Sequence, residues 1–275
     1  SCRSAWATQV PIACADGSNS RFGRQYSGFE YDPEDATTSN FQRPHRFITY
    51  GTWTAPWTKN QTDLTFYYEA ISGISLTYVT NNDINGDGVG GNDPIYVPLD
   101  ANDPSEFRIG TGAGNNFVLD ATTAQAFERF IELQPCLDEQ RGSLMKRNSC
   151  QGPMIKRMDF SLRQSVSTIR GQDFTIQWDV FNFLNLLNHR WGRARFPVGG
   201  TFNNQTALQT ASRQTGALNT ALWNYNMNTN LLNAIRNNDS PWSTNPNSAG
   251  NNYQMQLTLR YAFCSRADAK RPSGN

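Results

Sequence analysis

Tyr253-Gln-Met-Gln-Leu-Thr-Leu-Arg-Tyr-Ala-Phe263 is the stretch that decides the fold. Tyr253, Met255, Leu257, Leu259, Tyr261 and Phe263 fall on one face, and Gln254, Gln256, Thr258, Arg260 and Ala262 on the other. A period of two is the pattern of an extended strand with one apolar face. Its 11 residues match the length a tilted strand needs to cross a bilayer, whereas strands of soluble sheets usually run about five or six residues. Aromatic residues close the apolar face at both ends, as expected of side chains resting at the two membrane interfaces.

Working upstream, the same alternation returns. Phe174, Ile176, Trp178 and Val180 alternate with Asp173, Thr175, Gln177 and Asp179, and Met158, Phe160 and Leu162 alternate with Arg157, Asp159, Ser161 and Arg163. Leu64, Phe66, Tyr68 and Ala70 alternate with Thr65, Tyr67 and Glu69; the segment from Arg46 to Ala55 is strand-like with ambiguous facing. On a membrane strand the charged positions Glu69, Arg157, Asp159, Arg163 and Asp179 face a wet lumen; on a soluble sheet they are solvated.

The connections are unequal. Pro56–Thr62 and Val166–Gln172 are short, whereas about 79–152 and about 189–251 are very long. Barrels of the outer membrane pair short periplasmic turns with long extracellular loops. The strand near Arg46 then starts outside the cell, so a further strand is expected before it. Five strands also fall below the minimum of about eight for closure. The expected fold is therefore all-β: the C-terminal strands of a larger antiparallel transmembrane β-barrel, with long extracellular loops that hold short helices. Residues 1–263 form this barrel portion, and 264–275 form a polar tail. Within the loops, Ala121–Leu133 reads as a short helix with Ala124, Phe127, Phe130 and Ile131 on one side, and Thr220–Arg236 as a second. The tract from Phe202 to Asn252 is rich in Asn, Gln, Ser and Thr, and reads either as solvated linker or as a ligand-contacting loop.

Composition agrees. Of 275 residues, 17% are charged and the net charge is +1, which gives no field for nucleic acid. Mean hydropathy is −0.61, and no run of about 18 apolar residues offers a transmembrane helix; alternating strands average the signal away. Cys136 and Cys150 flank a polar stretch, and a bridge there closes a loop of about 15 residues, a stabilisation of about 3 kcal/mol. Cys2 and Cys14 can pair similarly, leaving Cys264 odd; unpaired buried thiols are the alternative.

Three segments carry a resemblance. RPHRF (Arg43–Phe47), NGDGVGGNDPIYVP (Asn85–Pro98) and DVFNFLNLLN (Asp179–Asn188) look like TonB-dependent receptors, nearest to the Oar-like subgroup, whose members carry a carboxypeptidase-regulatory-like domain at the N-terminus. QLTLRYAF (Gln256–Phe263) resembles that family's last strand, with Tyr261 and Phe263 as the signal read by the barrel-assembly machinery, although here the chain continues past Phe263. The resemblance implies a 22-stranded barrel with a plug and a TonB box upstream of this region, a substrate captured by extracellular loops, and outer-membrane lipid as solvent.

Few constellations suggest chemistry. Asp83, Asn85 and Asp87 have the spacing of calcium-loop ligands, with Gly88 at the turn and Asp93 close to the closing position; an Asn/Asp/Gly-rich turn is the alternative. Gly86-x-Gly88-x-x-Gly91 matches a dinucleotide fingerprint in form only, since Pro94 blocks the helix that must follow. His45 and His189 lie far apart in sequence, and no nucleophile elbow, P-loop or HExxH motif is present. Carboxylates such as Glu69, Asp159 and Asp179 can in principle pair as acid and base, but lumen charge is the simpler account. Trp53, Trp57 and Trp178 suit interfacial anchoring better than stacking on a sugar. No catalytic residue is assigned, no enzyme is expected, and calcium in an extracellular loop is the sole candidate cofactor. A passive porin or structural outer-membrane protein, and a secreted calcium-stabilised all-β binding module, are the alternative functions.

Overall fold

The computed structural model describes residues 38–39, 41–57, 60–84, 90–167, 172–198, 204–213, 223–244 and 251–262. Cys2, Cys14, Asn85, Asp87, Phe263, Cys264 and the tail lie outside them. Among the described residues, nine strands of four or more residues follow in chain order: β1 (Arg46–Thr54), β2 (Thr62–Ile71), β3 (Ser75–Thr80), β4 (Arg108–Thr111), β5 (Ile155–Ser167), β6 (Asp173–Phe181), β7 (Asn204–Arg213), β8 (Trp223–Met227) and β9 (Gln254–Ala262). Helices are α1 (Ala121–Glu132), α2 (Pro135–Asp138), α3 (Phe183–Leu187) and α4 (Thr229–Asn238). They form two units. One comprises His45–Ile71, Met154–Ala194 and the residues from Thr244 on; the other comprises Ser72–Pro153 and Arg195–Ser243 with the residues up to Pro44.

The first unit is a wall. Its antiparallel sheet has the order β1-β2-β5-β6-β9. Residues opposite one another in such a sheet share a face, and the register keeps the alternation in phase across the strands. Trp53, Leu64, Leu162, Trp178 and Leu257 form one cross-strand row, and Gly51, Phe66, Phe160, Val180 and Met255 the next row on that face. Between them, Thr52, Thr65, Ser161, Asp179 and Gln256 form a polar row. A one-residue slip anywhere would exchange the faces. The register also settles β1: Phe47 and Trp53 lie on the apolar face, Ile48 and Tyr50 on the polar one. Gly51 leaves room for the Phe66 ring, whose edge would lie 2.8 Å from a Cβ at that position.

The apolar face is not a core. Leu257 and Leu259 are 65% and 62% exposed, and Met255, Ile176, Trp178 and Phe66 are exposed as well. A water-soluble sheet would cover such a stripe, whereas lipid satisfies it directly. Nine-residue strands rise about 30 Å along their length, which at a tilt of about 35° spans the roughly 25 Å apolar band of an outer-membrane barrel.

The second unit is built from the two long loops and has its own core. Its central sheet runs β3-β7-β8-β4, parallel between β3 and β7 and between β8 and β4, antiparallel between β7 and β8. Both parallel pairings join a strand of the first loop to one of the second, so each loop completes the other's sheet. Leu76, Tyr78, Phe107, Ile109, Phe127 and Phe130 of the first loop pack in one cluster with Leu208, Met227, Leu231 and Ile235 of the second.

Local chemistry accounts for the helices. Asp120 caps α1 by accepting from the Thr122 and Thr123 amides, and the face bearing Ala124, Phe127, Phe130 and Ile131 is buried, as the periodicity predicts. Cys136 of α2 is bridged to Cys150, whose backbone pairs with Leu76 of β3, so the disulfide ties helix to sheet. Gly73 and Gly152 cross at the base of the first loop, where a Cβ on Gly73 would meet the Gly152 carbonyl oxygen at 2.2 Å.

Two expectations need correction. The solvated-linker reading of Phe202–Asn252 fails for its described parts, which form β7, β8 and α4; four widely spaced apolar residues anchor a tract whose average composition is polar. Within the helix expected over Thr220–Arg236, the described residues are strand over Trp223–Met227 and helix from Thr229, because the Asn228 side chain accepts from the Asn230 and Leu231 amides and starts the helix there.

Candidate functional site

The wall's polar face gathers the charges singled out in the sequence. Glu69 lies opposite Arg157, and Asp159 opposite Tyr67. Arg163 lies opposite Asp63 and Gln177, and Asp179 opposite Ser161 and Gln256. Arg46 binds Glu69 at 2.7 Å, the Ser161 hydroxyl donates to Asp179 at 2.6 Å, and the Asn182 amide donates to Asp159 at 2.8 Å. Acidic and basic groups alternate, so the face is dipolar at short range and close to neutral over its area.

Aromatic side chains frame the opposite face. At the β1–β2 turn, Trp57 donates to the Asn60 carbonyl at 2.8 Å and meets Trp53 edge to face. Tyr261 donates to Gln172 beside the β5–β6 turn. Phe47 and Tyr68 pair at the other end of β1 and β2. An apolar body with one polar tip is the chemistry of an interfacial anchor.

Asparagines fasten the segment between β6 and the second loop. Asn182, in the left-handed region at φ 54°, donates its side-chain amide to the Gly192 carbonyl. Asn185 donates to the carbonyls of His189 and Trp191 and accepts from the Tyr253 amide. Asn251 accepts from the Ala194 amide. The DVFNFLNLLN segment is thus a clasp at the base of the loop, a role that its asparagines do not reveal in the sequence.

The loop unit is held by charge between its two halves. Arg129 of α1 forms a two-pronged pair with Asp239 after α4, at 2.8 and 2.6 Å, and Arg236 of α4 donates to the Thr122 hydroxyl. The hydrogen bond to Arg129 holds the Asp239 carboxyl below the usual carboxylate range, and bonds from Thr123 and Thr122 do the same for Asp120. Arg141 reaches Glu128, Asp138 and the Leu99 carbonyl. Burial pushes the Tyr225 hydroxyl up to about 12, with the nearby Asp93 charge adding to it. None of these long-range pairs has a sequence signature.

Of the candidate calcium ligands, Asp93 is fully buried in a ladder opposite Thr80 and accepts from the Ile84 amide at 2.5 Å. Asp83 is half-buried, and Asn85 and Asp87 lie outside the described residues. Among the described residues, no three His, Cys, Asp or Glu side chains form a metal-holding group. His45 and His189 do not come together with one another in such a group either.

A family model described as an outer membrane beta barrel domain matches residues 13–216. No curated protein and no solved structure matches the chain.

Proposed function

The chain belongs to the outer membrane beta barrel domain family, and from that premise we propose that it is the wall and vestibule of a TonB-dependent transport receptor of the Oar-like subgroup. Its place is the bacterial outer membrane. One observation carries the reading: the two long loops fold into a single body with its own core, disulfide and interlocking ion pairs. A passive channel needs a constriction, whereas a receptor needs a persistent surface that holds a dilute substrate before it enters.

In this account Glu69, Arg157, Asp159, Arg163 and Asp179 line the lumen, where alternating charge offers docking partners to a plug. The plug and the TonB box belong to the whole protein. The final strand, with Tyr261 and Phe263, is the segment that the barrel-assembly machinery engages. The chemistry is transport, and no side chain is given a catalytic role. Calcium held from Asp83, Asn85, Asp87 and Asp93 would brace the loop; the buried Asp93 carboxylate supports this, and unchanged protease resistance on adding and chelating calcium would remove it.

Reconstituting the whole protein in planar bilayers tests the receptor. A plugged receptor is electrically silent, and it opens when mild urea releases the plug; it also retains the periplasmic domain of TonB on a column. Steady conductance without urea, and no retention of TonB, would replace this reading with the passive porin.

A further inference from the structure

We infer that a recess on the loop unit, lined by one face of α4, binds neutral hydroxyl-rich ligands, namely oligosaccharides. Asn230, Asn233, Asn237 and Asn238 stand on that face at spacings of three, four and one. They line a recess of about 420 Å³ together with Pro197, Val198, Ala234 and Ser243. The opposite face of the helix is committed to the core through Leu231 and Ile235.

Three features point to a ligand rather than to ordinary solvated surface. Asparagine is a poor helix former, and a merely exposed face is better served by Lys, Glu or Gln. The four exposed amides make no side-chain hydrogen bond among the described residues. The charges that adjoin the recess are also turned away. Arg236 reaches Thr122 and Asp120, and Asp239 is held by Arg129, so the lining itself is uncharged.

That lining selects the ligand class. Each amide sets a donor beside an acceptor, which matches a pair of neighbouring sugar hydroxyls. Amides one turn apart, about 5.4 Å, repeat at roughly the length of one pyranose unit. Pro197, Val198 and Ala234 offer an apolar floor for the C–H face of the ring. An anionic ligand finds no cation here, and a lipid finds too little apolar surface. The inference rests on the receptor reading for its purpose, since a loop-borne sugar site serves capture.

The test uses the whole protein in detergent, with maltohexaose, cellohexaose, xylohexaose and chitohexaose as probes and an uncharged hexapeptide as the contrast. Saturation-transfer NMR and calorimetry should detect at least one of the sugars and not the peptide. N233L/N237L should weaken that binding about tenfold to a hundredfold, from the loss of two amide partners. A234W, which sets an indole across the floor of the recess and leaves every amide in place, should do the same, with protease resistance of the loop unit confirming the fold of both variants. Binding of none of the sugars, preference for the peptide, or wild-type affinity in either folded variant would overturn the inference. Recess-dependent sugar binding by a protein that conducts without urea would sink the receptor reading alone.

Discussion

Replacing Phe127 with alanine should loosen both long loops at once. The ring is fully buried, stacks on Phe107 at 5.3 Å and lies 5.8 Å from Phe130. Truncating a buried Phe costs about 3–5 kcal/mol through lost transfer energy and the cavity left behind. Taking about 4 kcal/mol, and about 1.4 kcal/mol per decade, the open state of the loop unit should rise by roughly a thousandfold. Hydrogen exchange read by mass spectrometry on the membrane-embedded protein would show this as faster exchange in β3 and β4 of the first loop and equally in β7 and β8 of the second, because the parallel pairings join them. β5 and β6 of the wall should keep their protection. Acceleration of less than about tenfold, or acceleration confined to α1 and its own loop, would refute the shared core.

Further outcomes follow from other contacts. C136S/C150S should cost the loop unit about 3 kcal/mol, on the loop-closure estimate for a sequence separation of 14; urea titration of loop proteolysis reads it, and an unchanged midpoint would count against the bridge. Leu257→Arg should destabilise the folded barrel by about 2–4 kcal/mol, as a charge on the lipid face near mid-membrane does, whereas Thr258→Arg should be tolerated; refolding into vesicles under urea separates the two, and equal effects would contradict the assigned faces. Acid should loosen the loop unit in a definite window. Asp239 and Asp120 are held below their ordinary range, by Arg129 and by Thr123 with Thr122 respectively. Their stabilisation is therefore full above about pH 4 and lost as pH falls through the lowered values. Protease resistance should be flat from about pH 5 to 8 and decline below about pH 4, and a loss on the alkaline side would contradict the sign.

The wall was legible because membrane strands are long, lipid demands an apolar side chain at every second position, and both conditions are local. Phe160, Trp178 and Leu257 could be placed on one face before their partners were known. β1 was ambiguous for a related reason. Gly51 and Thr49 stand on its apolar face, and Ile48 and Tyr50 on the polar one, so its facing depends on what β2 presents opposite. The loop unit was largely illegible. Its strands pair across the two loops, and the anchors Leu208, Met227, Leu231 and Ile235 are scattered through asparagine-rich sequence. Only α1, with its complete apolar stripe, and the Cys136–Cys150 bridge announced themselves. The asparagine clasp and the Arg129–Asp239 pair depend on neighbours that are distant in sequence or on a backbone turn, and composition carries no trace of either.

The most direct test of the membrane account is cysteine labelling with a membrane-impermeant maleimide, on cells whose protein has Cys2, Cys14 and Cys264 replaced by serine. Single cysteines at Ser143 and Asn233 report the two long loops, and at Gln61 and Gln172 the two short turns. The account predicts that the first two label on intact cells and the last two only after the outer membrane is permeabilised. Labelling of all four on intact cells, or recovery of the labelled protein in the soluble fraction, would contradict it.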